Sequence, residues 1–463
     1  GSLGVVINEV LAHTDPPVSR SDTIELHNTT SGVFHVGGWY LSDSESNLTK
    51  FVIPDGTTIA AGGYISLDES DFNANPGSAT SFALSGAHGD SVWLVRSQGG
   101  DLQIVDNVHF GSSLNGESFA RIPNGVGRLV PTASLTLGTS NGSVRTGPLM
   151  ISEVQYNAGL PSSAALLAHP TMSGEDLEFI EIFNISGSTV DLTDWRIRGG
   201  QNADLKYDFV AGTTLSAGEA LLVTAFNPAN VSNSDRLASF RAHYGLDAGV
   251  TLVGGYSGHL DDNGQLVVLE GPDAAPAEEP LFTPHFESDG LLYDNLSPWP
   301  PEASGTGKSL HRIHWSESAS LSTSWVSGPA NPGAAVKRGD FDLDGDVDTS
   351  DLTNAIINFT GAGGTGRTWA DGDTDGDGDV DTSDLTEAII NFTGARSQGA
   401  GVSGSSMGFA AASENAVSRP GFHHSPAPDY GLPDLNRDRR SRDQSWLVDT
   451  IVRQEFSWLN QSQ

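Results

Sequence analysis

The chain has 463 residues, with 58 Asp plus Glu against 23 Lys plus Arg and no Cys. At about 150 residues per domain this length implies roughly three domains, enough to bury cores without covalent staples. A formal net charge of −35 disfavours nucleic acid and anionic membrane surfaces as partners, and the lack of Cys excludes disulfides, zinc–thiolate sites and cysteine nucleophiles.

No run of about 18 apolar residues occurs, so no transmembrane segment is expected. The chain opens Gly1-Ser2 rather than on Met and reads as a mature or trimmed product. Residues 3–336 read as all-β. Short runs such as Val5-Val6-Ile7, Ile24-Glu25-Leu26, Trp39-Tyr40-Leu41, Tyr64 to Leu67 and Ser91 to Val95 alternate with Gly, Asn, Asp, Ser and Pro clusters at sandwich-like spacing. One stretch reads as a good helix, Ser234 to Tyr244, with Leu237, Phe240 and Tyr244 on one face and Gly245 just past its end.

This region repeats itself. Ile7-Asn8-Glu9-Val10 returns as Ile151-Ser152-Glu153-Val154, and Ile24-Glu25-Leu26-His27-Asn28 as Ile180-Glu181-Ile182-Phe183-Asn184. Trp39 is matched by Trp195, and Gly56-Thr57-Thr58-Ile59 by Gly212-Thr213-Thr214-Leu215. Two copies of one domain follow, the second lengthened by insertions. The ordered elements Ile-x-Glu-Val, Ile-Glu-(Leu/Ile)-x-Asn, Trp and Gly-Thr-Thr-(Ile/Leu) resemble the lamin tail domain of bacterial secreted proteins. That resemblance implies immunoglobulin-like β-sandwiches over roughly 3–140 and 147–335.

A tighter repeat follows. Residues 345–362 and 378–395 differ only at Asn354 versus Glu387. Taking Asp340 as loop position 1 places Asp342, Asp344, Asp346, Asp348 and Asp351 at positions 3, 5, 7, 9 and 12, with Gly345 at 6. The second copy gives Asp373, Asp375, Asp377, Asp379, Asp381 and Asp384, with Gly378 at 6. Alternating carboxylates around a sharp glycine turn supply the hard oxygen ligands that Ca²⁺ prefers, one ion per loop. Positions 1, 3, 5 and 12 are expected to ligate directly, position 7 through its backbone carbonyl and position 9 through water. After each loop an amphipathic helix is expected to bury Leu352, Ala355, Ile356 and Phe359, or Leu385, Ala388, Ile389 and Phe392.

No entering helix precedes Asp340, and Asp rather than Glu stands at position 12. Both features resemble the type I dockerin, a duplicated loop–helix module spanning about 337–396 here. The resemblance implies a cohesin-like partner, recognised through Thr349, Ser350, Thr382 and Ser383, although those pairs are equally placed for helix capping. The later helix positions hold Ile357-Asn358 and Ile390-Asn391 rather than the basic residues frequent in that family. A low-complexity linker (397–444) and an amphipathic helix (445–463) are expected to follow.

Other signals carry less. Gly361 to Gly366 matches G-x-G-x-x-G but follows a helix, and Gly404 to Gly408 matches a hydrolase elbow without a strand. His423-His424 and the Arg437 to Arg442 stretch lie in the linker. Glu9 and Glu153, like Glu25 and Glu181, sit at equivalent positions, which favours a structural bond to a loop amide over catalysis. Trp39 and Trp195 are expected to fill the two cores. The resulting expectation is a non-catalytic, secreted or cell-surface bacterial protein anchored by Ca²⁺ to a cohesin-like or other envelope protein, with a glycan as a further candidate ligand. A component of extracellular polysaccharide degradation and a purely structural calcium-rigidified spacer are the alternatives.

Overall fold

Short β-rich runs punctuated by glycine turns build two sandwiches, as the repeat implies. The computed structural model describes residues 4–200 and 204–394, so the segments 397–444 and 445–463, with their motifs, lie outside the described residues. In the first sandwich a five-stranded sheet runs Leu129–Pro131, Ser118–Arg121, Val5–Leu11, Thr23–Asn28, Tyr64–Asp68. It faces a four-stranded sheet ordered Phe51–Val52, Tyr40–Ser42, Asp90–Gln98, Asp101–Phe110.

The second sandwich repeats that plan. Its larger sheet runs Thr251–Gly254, Ala220–Thr224, Phe179–Asn184, Leu149–Gln155, Lys308–Arg312, Trp325–Pro329, and its smaller one Leu205–Asp208, Arg196–Gly199, Leu266–Pro272, His285–Leu292. The added strand Thr251–Gly254 pairs parallel to Ala220–Thr224, whereas the other strand pairs are antiparallel. Trp39 and Trp195 are buried in the two cores, as their spacing predicts. The expected helix is Ser234–Tyr244, closed by Gly245 in the left-handed region (φ 68°). Its N-cap is Asn233, which makes no side-chain capping bond.

The repeated glutamates share one local design. Each first strand bulges at the residue before its glutamate, which sets Glu9 opposite Glu25 and Glu153 opposite Glu181. Directly opposed carboxylates repel, and both pairs are buried. They are held by the segment that follows each sandwich's last strand. Thr136 N donates to Glu9 (3.0 Å) and Gly138 N to Glu25, while Asn331 N donates to Glu153 (3.2 Å) and Gly333 N to Glu181 (2.6 Å). Burial nevertheless pushes Glu25 and Glu181 up to about 7. The loop-amide role expected for these residues is therefore the one the structure gives them.

The two sandwiches meet through Arg128, whose guanidinium forks onto Glu287 and also donates to Gly290 O (2.9 Å) and Ser320 Oγ (3.0 Å). Arg145 lies 5.2 Å over the Phe286 ring. The acidic repeat packs on the second sandwich rather than standing apart. Ile313 of the sandwich shares a buried cluster with Val336, Phe341, Leu343, Val347, Ala355, Trp369, Val380 and Ala388, and Val326 packs against it.

Candidate metal centre

Each acidic loop is followed by a nine-residue helix, Thr349–Ile357 or Thr382–Ile390. Its N-cap is the position-9 aspartate. Asp348 accepts from Ser350 N (2.6 Å) and its own amide donates to Asp351 Oδ2 (2.9 Å); Asp381 and Asp384 repeat this box. Capping therefore falls to Asp348 and Asp381, not to the Thr-Ser pairs. Thr349, Ser350, Thr382 and Ser383 are exposed in the first turns, and each serine hydroxyl donates to its capping aspartate at 2.6 Å.

The helices end two residues before the last apolar position that the spacing implies. Ala355 and Ala388 are buried and Leu352, Ile356, Leu385 and Ile389 are half-buried, but Phe359 and Phe392 lie beyond the C-caps at Asn358 and Asn391. They are 40% and 45% exposed, and Ile357 and Ile390 are 75% and 63% exposed. The expected burial of Phe359 and Phe392 is thus corrected, because a helical period cannot run past the helix.

The repeats close on each other. Thr360 N donates to Val380 O and Thr393 N to Val347 O, both at 2.9 Å. Before each loop a glycine with positive φ abuts the other repeat's helix. A Cβ on Gly339 would lie 2.5 Å from Ala388 Cα, and one on Gly372 would lie 2.8 Å from Ala355 Cα. Gly345 and Gly378 take φ of 93° and 89° at position 6, the left-handed turn that curls each loop around a point.

That curl gathers the carboxylates. Oxygens of Asp340, Asp342 and Asp351 lie within 4.8 Å of one another, as do those of Asp373, Asp375 and Asp384. These are positions 1, 3 and 12 of both loops. Position 5 does not join them: Asp344 and Asp377 instead accept the amides of Asp346 (3.1 Å) and Asp379 (3.0 Å). Positions 7 and 9 form a second group with position 12, Asp346–Asp348–Asp351 and Asp379–Asp381–Asp384. The Asp379 side chain turns toward residues 361–364 and accepts from Gly363 N (2.5 Å), leaving its other oxygen buried without a hydrogen bond.

Backbone amides partly neutralise the cluster. Asp340 accepts from Asp344 N and Gly345 N (both 3.1 Å), and Asp351 accepts from Phe341 N (2.7 Å). Burial, and next the charge of Asp351, push Asp340 up to about 7. Among the described residues of the module, Arg338 pairs with Glu387 and Arg367 with Asp371, while Lys337 Nζ donates to Gly345 O (3.2 Å) in the first loop. A set of three hard anionic oxygens, none of them ion-paired to a Lys or Arg among the described residues, fits a Ca²⁺-like ion. Asp340, Asp342 and Asp351 could hold one such ion and Asp373, Asp375 and Asp384 another.

Some residues that build the site give little sequence signal. Trp369 donates from Nε1 to Asp340 O (2.9 Å) and packs edge-on against Phe341. Position 4 is left-handed in both loops, as Leu343 (φ 60°) and Gly376 (φ 79°). Leu343 accepts that backbone while its side chain lies against Gly328 of the last strand, where a Cβ would come within 2.3 Å. Gly376 sits against the His314 ring.

Residues 2–112 and 143–271, together just over half of the chain, match the model described as Lamin Tail Domain. No curated protein matches the chain. Among solved structures, a DUF4876 family protein from Bacteroides thetaiotaomicron is 10% identical, covering 73% of this chain and 97% of that one with a TM-score of 0.24.

Proposed function

The chain belongs to the lamin tail domain family, and we propose that it is a binding or scaffold protein whose two sandwiches carry a Ca²⁺-dependent docking module. The observation that supports this reading most is the same carboxylate triple at positions 1, 3 and 12 of both loops. Bound Ca²⁺ would supply the charge that lets the three aspartates of each triple converge. The chain's own residues then do the work. Asp351 and Asp384 tie each ion to the start of a helix, and the crossed Thr360–Val380 and Thr393–Val347 bonds set the helices in a paired arrangement. The exposed Thr349-Ser350 and Thr382-Ser383 turns, with Ile357 and Ile390 further along, offer two near-equivalent faces to a cohesin-like or other envelope protein.

Pull-down from a bacterial envelope extract, with Ca²⁺ and with chelator, tests the proposal. Retention of a partner only with Ca²⁺ supports it. Equal retention in chelator, or none in either condition, removes the docking role. A second reading, a calcium-stiffened spacer, draws on the seating of Leu343 against Gly328, which joins the module's core to the sandwich. It requires chelator-sensitive stability without chelator-sensitive binding.

A further inference from the structure

The two sandwiches differ at one equivalent sheet edge. Tyr64–Asp68 lies against Thr23–Asn28 as Ala220–Thr224 lies against Phe179–Asn184, with Ser66 opposite Glu25 and Leu222 opposite Glu181. In the second sandwich Thr251–Gly254 then pairs parallel to that strand, from Leu221↔Thr251 to Thr224↔Gly254. In the first, Tyr64–Asp68 ends the sheet. The connection that supplies the extra strand runs over 225–265; its counterpart, 69–89, holds the short helix Glu69–Phe72 and no strand. Phe72 and Phe82 of that counterpart stack on each other in the core, with centroids 4.7 Å apart.

The bare edge has the groups that pairing needs. Asn28 N donates to Gly63 O (3.0 Å) and Glu69 N to Asp22 O (2.8 Å). Antiparallel alternation between these two bonds turns the backbone of Ile65 and Leu67 toward Thr23–Asn28. The N–H and C=O groups of Tyr64 and Ser66 therefore face outward, together with the carbonyl of Asp68, whose amide is held by Asp71 Oδ2 (3.1 Å). In the second copy the carbonyl equivalent to that of Asp68, on Thr224, accepts from Gly255 N (2.9 Å). Side chains mark the same gap: Leu221 is fully buried, whereas Ile65 at the equivalent position packs against the core and is only half-buried. Unpaired backbone groups beside part-covered apolar side chains form a template for another strand.

We propose that this edge takes up an extended segment of a partner protein as a sixth strand, parallel to Tyr64–Asp68. Thr251–Gly254 supplies the pattern. The partner residue opposite Leu67 stands where Val253 stands opposite Val223, against the core, and is apolar. The one opposite Ser66 stands where Leu252 does, but Leu222 and Leu252 lie under Phe240 of the inserted helix, whereas Ser66 is exposed, so a polar residue belongs there. The C-terminal end of a parallel segment reaches Asp68, Glu69 and Asp71, where the second copy has Thr224, Ala225 and Asn227; a basic residue complements that end. The edge shares no residue with the acidic repeat, so the proposal stands or falls independently of Ca²⁺.

Fluorescence anisotropy of a labelled peptide tests this at about 0.15 M salt. The peptide is residues 249–255 of this chain with Leu252→Ser and two lysines added at its C-terminal end. Saturable binding to the full chain is expected, weakened at least about tenfold (about 1.4 kcal/mol) by Ser66→Pro, which removes an outward amide and leaves the bonds to Thr23–Asn28 in place. Ile65→Lys, an inward-pointing charge on the edge, should act likewise and decides the matter if Ser66→Pro fails to fold. Hydrogen exchange at Tyr64 and Ser66 should be fast in the free chain and slowed by the peptide. Because the chain has no Cys, a fluorophore on Ser70→Cys reports direction: a quencher at the peptide's C-terminal end should dim it more than one at the other end. Equal binding of a scrambled peptide, binding unchanged by the edge variants, no saturation, or the reverse order of quenching overturns the assignment. Slow exchange at the edge in a free chain that sediments as a dimer also overturns it, by making a second copy the occupant.

Discussion

Replacing Asp342 by Asn should change sign with the metal. Asp342 is exposed, and its two side-chain bonds, from Asp344 N and Ser350 Oγ, have counterparts in an amide, whose oxygen accepts from Asp344 N and whose NH2 donates to Ser350 Oγ. The substitution is therefore close to a pure charge deletion. In chelator, Asp342 faces Asp340 and Asp351 with oxygens no more than 4.8 Å away. Even in water-like dielectric, two such charges repel by about 1 kcal/mol per pair, which solvent exposure and salt reduce further. Loss of that repulsion should stabilise the metal-free chain by roughly 1 kcal/mol, raising its melting point by a few degrees. With Ca²⁺ the same substitution removes an anionic ligand. A tenfold loss of affinity corresponds to about 1.4 kcal/mol less stabilisation at a fixed excess of ion. Thermal melts of the wild type and Asp342→Asn, each in EDTA and in excess CaCl₂, read the crossover. Shifts of the same sign in both conditions would refute a cation at this triple, and Asp375→Asn repeats the test in the second loop.

Three further outcomes follow from the geometry. Leu343→Gly relieves a left-handed leucine but empties the contact with Gly328, so a net loss of about 1–3 kcal/mol is expected, read by melting and by faster proteolysis after residue 336. Gly378→Ala places a side chain at φ 89° and should cost about 1–2 kcal/mol while weakening Ca²⁺ uptake, checked by calorimetry. Glu178 is pushed up to about 8, first by burial and then by Asp262 and Glu175. A raised carboxyl contributes stability that is complete below its unfolded value near 4.5 and is lost as pH rises through 8. Glu178→Gln should therefore be close to neutral at pH 5 and stabilising by up to about 5 kcal/mol at pH 9. Denaturant curves at both pH values measure it, and an equal effect at the two refutes the shift.

Much of this architecture is legible in the sequence because the chain is written twice. The matches Trp39/Trp195 and Glu25/Glu181 align equivalent strands by themselves, since a β-sandwich reads through alternating burial and turn residues. The bulges before Glu9 and Glu153 are not legible, because one extra residue in a strand leaves no compositional mark. In the acidic loops, spacing alone places positions 1, 3 and 12 together. It does not reveal that Asp344 and Asp377 spend their side chains on backbone amides, a choice made by loop geometry rather than residue type. Phe359 and Phe392 mislead for a related reason: apolar period carries no stop signal, and Asn358 and Asn391 end the helices first. The seat of Leu343 leaves no trace in its own segment because it depends on a glycine in the second sandwich.

The placement of Leu343 also bears on handling the protein. The last strand of the second sandwich, Trp325–Pro329, directs Val326 and Gly328 toward the acidic repeat, and Ile313 joins the same buried cluster. If withdrawal of the ion lets the repeat come loose, that greasy panel is bared to water on a chain that still keeps its sandwich. Chelated stocks should then cluster with rising concentration, and storage with calcium should keep them dispersed.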